Sequence, residues 1–211
     1  VEDVRIYLSE FLSDPDVIRL PRILWLPLLH LIILKIRPKK SAELYKKIWS
    51  TNGSPLLYNT TLQLSSLRNK IKLENNNLFL DIAMRYGQPS IESKIKKFYE
   101  KGIRKILVFP MFPQYSTTTT RSIMKKTHNV LKKLNLTNEI SINFINNFHN
   151  NDLYINSCVN LIKQYQDNHG KPEKLLLSFH GIPESYICDE EPYQKQCLTT
   201  SKLIAQKLDL Q

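Results

Sequence analysis

The apolar residues of the first seventy positions recur at helical spacing. Val4, Leu8 and Leu12 fall on one face of a helix predicted over residues 3–12, and a second helix is predicted over residues 41–49. Ser54 followed by Pro55 is typical of a helix start, because serine caps the first free amides and proline fits the first helical position. The first third of the chain is therefore predicted to be helical.

From residue 78 onward the hydrophobic period alternates between two and 3.6. Strands are predicted over residues 78–84, 103–109, 139–145 and 174–179. Helices are predicted between and after them, over residues 90–102, 120–134, 152–166 and 194–208. This alternation predicts an α/β fold with a parallel sheet flanked by helices. No GxGxxG motif accompanies it, which argues against a dinucleotide cofactor.

Ligands of such sheets bind beyond the carboxyl ends of the strands. The corresponding loops are residues 85–90, 110–120, 146–151 and 180–186. In the last of them, an apolar strand runs directly into His180, and Gly181 and Pro183 stop the strand there. The pattern therefore places an imidazole at the edge where a site is expected.

Residues 23–36 form the most apolar segment of the chain. Its 14 residues are fewer than the ~20 that a membrane-spanning helix needs. The segment is compatible with a buried helix, an interfacial segment or the lip of an apolar pocket.

Charge and cysteine content narrow the function classes. The net charge is +11, but 22 of the 30 basic residues are lysines in scattered pairs without interleaved aromatic residues. A basic module that binds nucleic acid or acidic lipid is therefore a distant alternative. Cys158, Cys188 and Cys197 form no CxxC pair and are predicted to be reduced thiols of a cytoplasmic protein.

Several motifs together resemble the ferrochelatase family. They are "VRIYLSEFLSDPDVI" (4–18), "NGSPLL" (52–57), "MRYGQPSIE" (84–92), "FPMFPQYSTTTTRS" (109–122), "LLLSFHGIPESY" (175–186) and "EEPYQKQC" (190–197). The resemblance implies a chelatase-like pair of Rossmann-like domains. The first would comprise residues 1–150, with residues 23–36 as an apolar lip over the porphyrin, and the second would begin with residues 151–211 and carry His180.

The resemblance also implies roles for individual residues. His180 matches the family's active-site histidine, which binds iron or accepts pyrrole protons, and is thus the predicted catalytic residue and metal ligand. Ser54, Tyr86, Tyr115 and Ser116 are the implied porphyrin contacts. Ser54 is equally suited to cap a helix. Pro113 and Tyr115 are equally suited to shape a rigid turn, with Ser116 and Thr117 starting the next helix. His149, in contrast, is predicted to be an ordinary polar loop residue.

The implied function is insertion of ferrous iron into protoporphyrin IX, the last step of protohaem synthesis. Iron and porphyrin would be substrates, with no permanently bound cofactor, no nucleic-acid partner and room for peripheral membrane contact. A sister chelatase that inserts cobalt or nickel into another tetrapyrrole is the main alternative. The family's first strand and a downstream glutamate have no counterpart between Val1 and Gln211. We therefore expect a fragment that, expressed alone, is partly molten or aggregation-prone and inserts no iron above the uncatalysed rate.

Overall fold

The computed structural model describes residues 1–74, 78–188 and 190–209, with the side chains of residues 72–74 outside the description. Its longer helices are α1 (Glu2–Leu12), α2 (Arg22–Leu28), α3 (Leu34–Ile48), α4 (Pro55–Glu74), α5 (Ile91–Glu100), α6 (Ser122–Lys133), α7 (Asp152–His169) and α8 (Tyr193–Lys207). Short π-helical turns, Leu29–Ile33 and Thr117–Arg121, precede α3 and α6. The predicted helices are confirmed, although α3 begins seven residues before the predicted start at Ser41.

The sheet of the described residues pairs β1 (Lys105–Val108) with β2 (Ser141–Phe144). The Ser141 amide donates to the Arg104 carbonyl at 2.8 Å, and the Ile145 amide donates to the Val108 carbonyl at 3.1 Å. Both partners advance by four residues in the same direction, so the pair is parallel. The predicted α/β class, a parallel sheet flanked by helices, is confirmed.

Two of the predicted strands are wrong, because neither forms a ladder with any other segment that the structure describes. In the described part of the chain, the β-pairing of residues 78–84 is an isolated bridge between Met84 and Ser90. Residues 174–179 keep the burial alternation of a strand, but Leu176 on their open side is 90% exposed. A strand exists only where another strand accepts its hydrogen bonds, and local sequence does not supply that partner.

The contacts of the chain divide it into two compact units. The first comprises Val1–Lys105 and Lys125–Ser141, and the second comprises Ile106–Met124 and the residues from Ile142 onward. The predicted division of the whole protein's domains between residues 150 and 151 does not follow these contacts, and it stays a prediction.

Helix α1 and the segment α2–α3 form the apolar core of the first unit. Leu8, Leu12, Leu29 and Leu34 are buried there against one another. Trp25 packs beside them and donates its indole N–H to the Leu12 carbonyl at 2.7 Å. The apolar face of α1 is thereby covered by the segment predicted as a lip.

Helices α7 and α8 provide the core of the second unit. Ile155 and Val159 of α7 meet Ile204 of α8, and Leu177 packs against them. The inner side of residues 174–179 is thus held by the two helices, which fixes where His180 follows.

Ion pairs with α5 hold residues 78–84 in place of a ladder. The Asp81 carboxylate accepts from Lys94 and Lys97, each at 2.8 Å, and from the Ile82 amide at 2.9 Å. Burial alone would raise the pKa of Asp81, but the hydrogen bonds from the two lysines outweigh it and lower the pKa from 3.8 to about 2.

This pKa predicts a pH-dependent contribution to stability. The charged carboxylate stabilises the folded state above the pKa of the unfolded chain, and this stabilisation is lost as the pH falls from about 4 to about 2. Asp81→Asn should therefore lower the free energy of unfolding at pH 7, and the difference from wild type should shrink toward pH 2. Urea unfolding of the full-length protein across this range tests it. Glu100→Gln, an exposed carboxylate on α5, is the control, and a pH-independent difference at Asp81 would contradict the assignment.

Candidate functional site

Three loops of the second unit follow the strands or the strand-like segment. We call residues 109–116, 145–151 and 180–192 the strand-end loops. The first two loops follow β1 and β2, whose carboxyl ends share the sheet edge at which α/β folds bind ligands. The third loop follows residues 174–179, which lie outside this sheet. Tyr115, Ser116 and His180, three of the predicted site residues, lie on these loops.

The first two strand-end loops contact each other directly. The Phe148 amide donates to the Pro113 carbonyl at 2.9 Å. The rings of Phe109 and Phe148 meet edge to face, with 5.2 Å between their centroids. An open cavity of about 360 Å³ lies beside them, lined by Phe109, Phe148, Ile145 and neighbouring asparagines.

Helix α8 supplies side-chain partners to these two loops. The Gln196 side-chain oxygen accepts from the Tyr115 amide at 2.7 Å. One turn later, the Thr200 hydroxyl accepts from the Gln114 side-chain amide at 3.1 Å and donates to the His149 carbonyl at 2.8 Å. Residues four apart share a helix face, so one face of α8 holds both loops.

Glu191, two residues before the start of α8, adds a buried carboxylate. Glu191 is 5% exposed, and its carboxylate accepts from the Thr117 amide at 2.8 Å, from the Ser116 hydroxyl at 3.2 Å and from the Thr117 hydroxyl. The neighbouring Glu190 is an exposed residue that pairs with Arg121 at 3.0 Å. The third strand-end loop therefore reaches the first through Glu191.

His180 lies at the start of the third loop, and its side chain is exposed. Its backbone interacts with the Tyr193 hydroxyl and opposes the rise of that group's pKa. Burial, followed by a hydrogen bond with Cys197, raises the pKa of Tyr193 to about 12, so the phenol is neutral at physiological pH. The arrangement leaves the imidazole open to a ligand while the backbone behind it contacts the first turn of α8.

Tyr115 and Ser116 differ in how open they are. Tyr115 is half-buried, whereas Ser116 is 1% exposed. The Ser116 hydroxyl accepts from the Thr118 amide at 3.2 Å and so caps the π-helical turn. The alternative role of Ser116, at the start of the next helix, is thus observed, and its contact with porphyrin stays a prediction.

His149 occupies the second loop as a polar loop residue. Its Nδ1 hydrogen-bonds to the Asn147 side chain at 2.8 Å, and burial lowers the pKa of its imidazole. Within the described residues, no group of three or more histidines, cysteines, aspartates or glutamates is arranged to hold a metal ion. Metal binding by His180 stays a prediction.

The first unit holds the other two predicted porphyrin contacts. Ser54 accepts from the Leu57 amide at 3.4 Å, which confirms its position as the cap of α4. Tyr86 donates to the buried Asp14 carboxylate at 2.8 Å, and Arg85 pairs with the same carboxylate. The Arg85 guanidinium also lies 4.4 Å from the centre of the Tyr86 ring. Arg85 thus has a structural partner, and porphyrin contact by Ser54 or Tyr86 stays a prediction.

The segment 23–36 presents two apolar faces. Leu29 and Leu34 are buried, but other apolar side chains of the segment are open to solvent. The most exposed of them are Ile23 (83% exposed), Leu24 (71%), Leu31 (63%) and Ile36 (70%). No helix in the described part of the chain is both long and apolar enough to cross a bilayer. An open apolar face beside the first unit's core agrees with the expected lip, whose porphyrin contact stays a prediction.

Comparison with known proteins relates this arrangement to a family. The family model described as ferrochelatase matches residues 1–211. The chain is 42% identical over 205 residues to a ferrochelatase of Idiomarina loihiensis, covering 97% of this chain and 56% of the relative. It is 44% identical over 209 residues to a ferrochelatase of Wigglesworthia glossinidia brevipalpis, covering 99% of this chain and 63% of the relative.

The chain belongs to the ferrochelatase family. A protein of Shewanella oneidensis named ferrochelatase 2 is similar in the same way, at 41% identity over 208 residues. The chain spans 56% to 63% of the length of these curated ferrochelatases. The sequence resemblance is thereby confirmed over the whole chain, and the strand-end loops become the part of a ferrochelatase in which a site is expected.

The hydrogen bonds from α8 predict how much Thr200 contributes to the free energy of unfolding. Thr200→Val keeps the side-chain shape but leaves the Gln114 amide and the His149 carbonyl without their buried partner. Loss of such a bond should lower the free energy of unfolding by about 1–3 kcal/mol. Urea unfolding of the full-length protein measures it. Thr199→Val is the matched control, since its hydroxyl bonds to the Lys195 carbonyl of its own helix. Equal effects of the two substitutions would contradict the role of Thr200.

Proposed function

We propose that the full-length protein containing this chain inserts ferrous iron into protoporphyrin IX to form protohaem. Membership in the ferrochelatase family supports the reaction. The observation that carries the proposal is the convergence of the first and third strand-end loops on Glu191–Tyr193, since Glu191 binds the Ser116–Thr117 turn and Tyr193 contacts the His180 backbone.

The chemistry requires a proton acceptor that is open to the substrate. Two pyrrole protons must leave the macrocycle as the metal enters, and an imidazole titrates near neutral pH. His180 is exposed and sits at the carboxyl end of an apolar segment. We assign it the catalytic role, as proton acceptor or as iron ligand, with Fe²⁺ as substrate and no permanently bound cofactor.

Porphyrin binding needs apolar surface for the macrocycle and polar groups for its carboxylates. The exposed side chains of residues 23–36 offer the apolar surface. Ser54, Tyr86, Tyr115 and Ser116 are the proposed contacts, and the net charge of +11 favours an anionic ligand. A cytoplasmic location, with peripheral membrane contact through the apolar face of residues 23–36, completes the proposal.

Anaerobic incubation of the full-length protein with Fe²⁺ and protoporphyrin, without any nucleotide, tests the reaction. The Soret absorbance should change to that of the metalloporphyrin. Failure on protoporphyrin with good activity on a corrin-type substrate and cobalt or nickel would overturn the proposal in favour of a sister chelatase.

His180→Ala should nearly abolish turnover while porphyrin binding changes by no more than a few-fold. Loss of a general base or ligand typically costs about 10²–10⁴-fold in rate, whereas apolar walls contribute most of the binding. Single-turnover absorbance and fluorescence titration of the full-length variant measure the two quantities. His169→Ala is the control, because that ring stacks on Tyr165 at the end of α7. Retention of most activity by His180→Ala would show that the imidazole is structural.

A further inference from the structure

Glu191 is a charged group at the junction of two strand-end loops. Two donors of Thr117 and one of Ser116 converge on its Oε2 atom. Hydrogen bonds to a carboxylate are shorter and stronger than those between neutral groups. These contacts join residues 74 and 75 positions apart in the chain.

The Tyr115–Thr117 turn is held from both sides by one short stretch. Glu191 binds the turn at Ser116 and Thr117, and Gln196 binds the Tyr115 amide at 2.7 Å. Between them, Tyr193 contacts the backbone of His180. The Tyr115–Thr117 turn and the backbone of His180 are therefore held by the same six residues, 191–196.

We propose that Glu191 is a positioning residue for porphyrin binding. Its carboxylate fixes the Tyr115–Thr117 turn relative to the His180 loop, so that the turn presents a preformed surface to the macrocycle. The proposal rests on the proposed function, because it concerns how that site is oriented. Glu191 itself is buried, so we assign it a role through the turn and not through direct contact with the substrate.

The Glu191 carboxylate contributes hydrogen-bond acceptors as well as buried volume. Burying a carboxylate carries a desolvation cost, and an apolar group of similar volume often stabilises a fold as well. Convergence of three donors on one oxygen, however, requires an acceptor with several lone pairs, and it specifies one orientation of the turn. The expected consequence of losing the charge is a misoriented turn in a protein that still folds.

Glu191→Gln in the full-length protein tests this, with Glu190→Gln as the matched control. The two glutamates are adjacent, but the Glu190 side chain is 78% exposed. Loss of a preformed binding surface should raise KM for porphyrin about tenfold and leave kcat within about threefold. KM for iron should not change, and Glu190→Gln should behave as wild type.

Two kinetic results would overturn the proposal. A merely structural role lowers the active fraction, so kcat per mole of protein would fall while both KM values stay unchanged. Wild-type kinetics in Glu191→Gln would show that the contacts have no consequence for binding.

A thermodynamic cycle keeps the positioning claim separate from the activity. Glu191→Gln removes the charge of the acceptor, and Thr117→Val removes the hydroxyl donor of the same contact. The shift in urea midpoint of the double variant should therefore be smaller than the sum of the single shifts. Additive shifts would overturn the claim that Glu191 holds the turn. A wild-type protein that neither binds porphyrin nor inserts iron would overturn the proposed function and, with it, the role of Glu191 in porphyrin binding. The thermodynamic cycle would still show whether Glu191 holds the turn.

Discussion

Backbone groups in the loops beyond a parallel sheet have no strand partners, yet burial requires that each finds a hydrogen bond. In this chain, α8 and Glu191, which lies two residues before it, supply such hydrogen bonds to the strand-end loops. Gln196 accepts from the Tyr115 amide, Glu191 accepts from the Thr117 amide, and Thr200 donates to the His149 carbonyl. The packing of α7 on α8 supports the same arrangement from behind, since Ile155, Val159 and Ile204 form the core beneath it. These contacts explain the polar residues of the "EEPYQKQC" motif, because its side chains hold the strand-end loops of this ferrochelatase chain.

The sequence predicted the helices well because helix formation depends mainly on local periodicity and capping. Ser54 before Pro55 marked the start of α4, and Ser90 caps α5 through the Ser93 amide. Strands were predicted less well because a ladder depends on a neighbour elsewhere in the chain. Two of the predicted strands, residues 103–109 and 139–145, pair with each other as β1 and β2. Residues 78–84, in contrast, are held by the ion pairs of Asp81. Periodicity alone does not separate these outcomes.

The candidate site was predictable in part. Gly181 and Pro183 end the strand pattern and so indicated the position of His180. The family resemblance indicated Tyr115 and Ser116. The partners that hold them were missed, because contacts such as that between Gln114 and Thr200 join residues 86 positions apart. Asp14 was missed for the same reason, since its partners Arg85 and Tyr86 lie about seventy residues away. A glutamate directly before a proline and a helix start was the one local signal that could have drawn notice to Glu191.

Helix α8 and Glu191 hold the strand-end loops as a single cooperative element. Native-state hydrogen exchange of the full-length protein tests it most directly, through the amides of Tyr115, Thr117 and Phe148, which bond to Gln196, Glu191 and Pro113. We expect these amides to exchange with one common opening free energy, which the amides in the first turns of α8 share. Widely different opening free energies, or exchange of the loop amides while α8 stays protected, would contradict it.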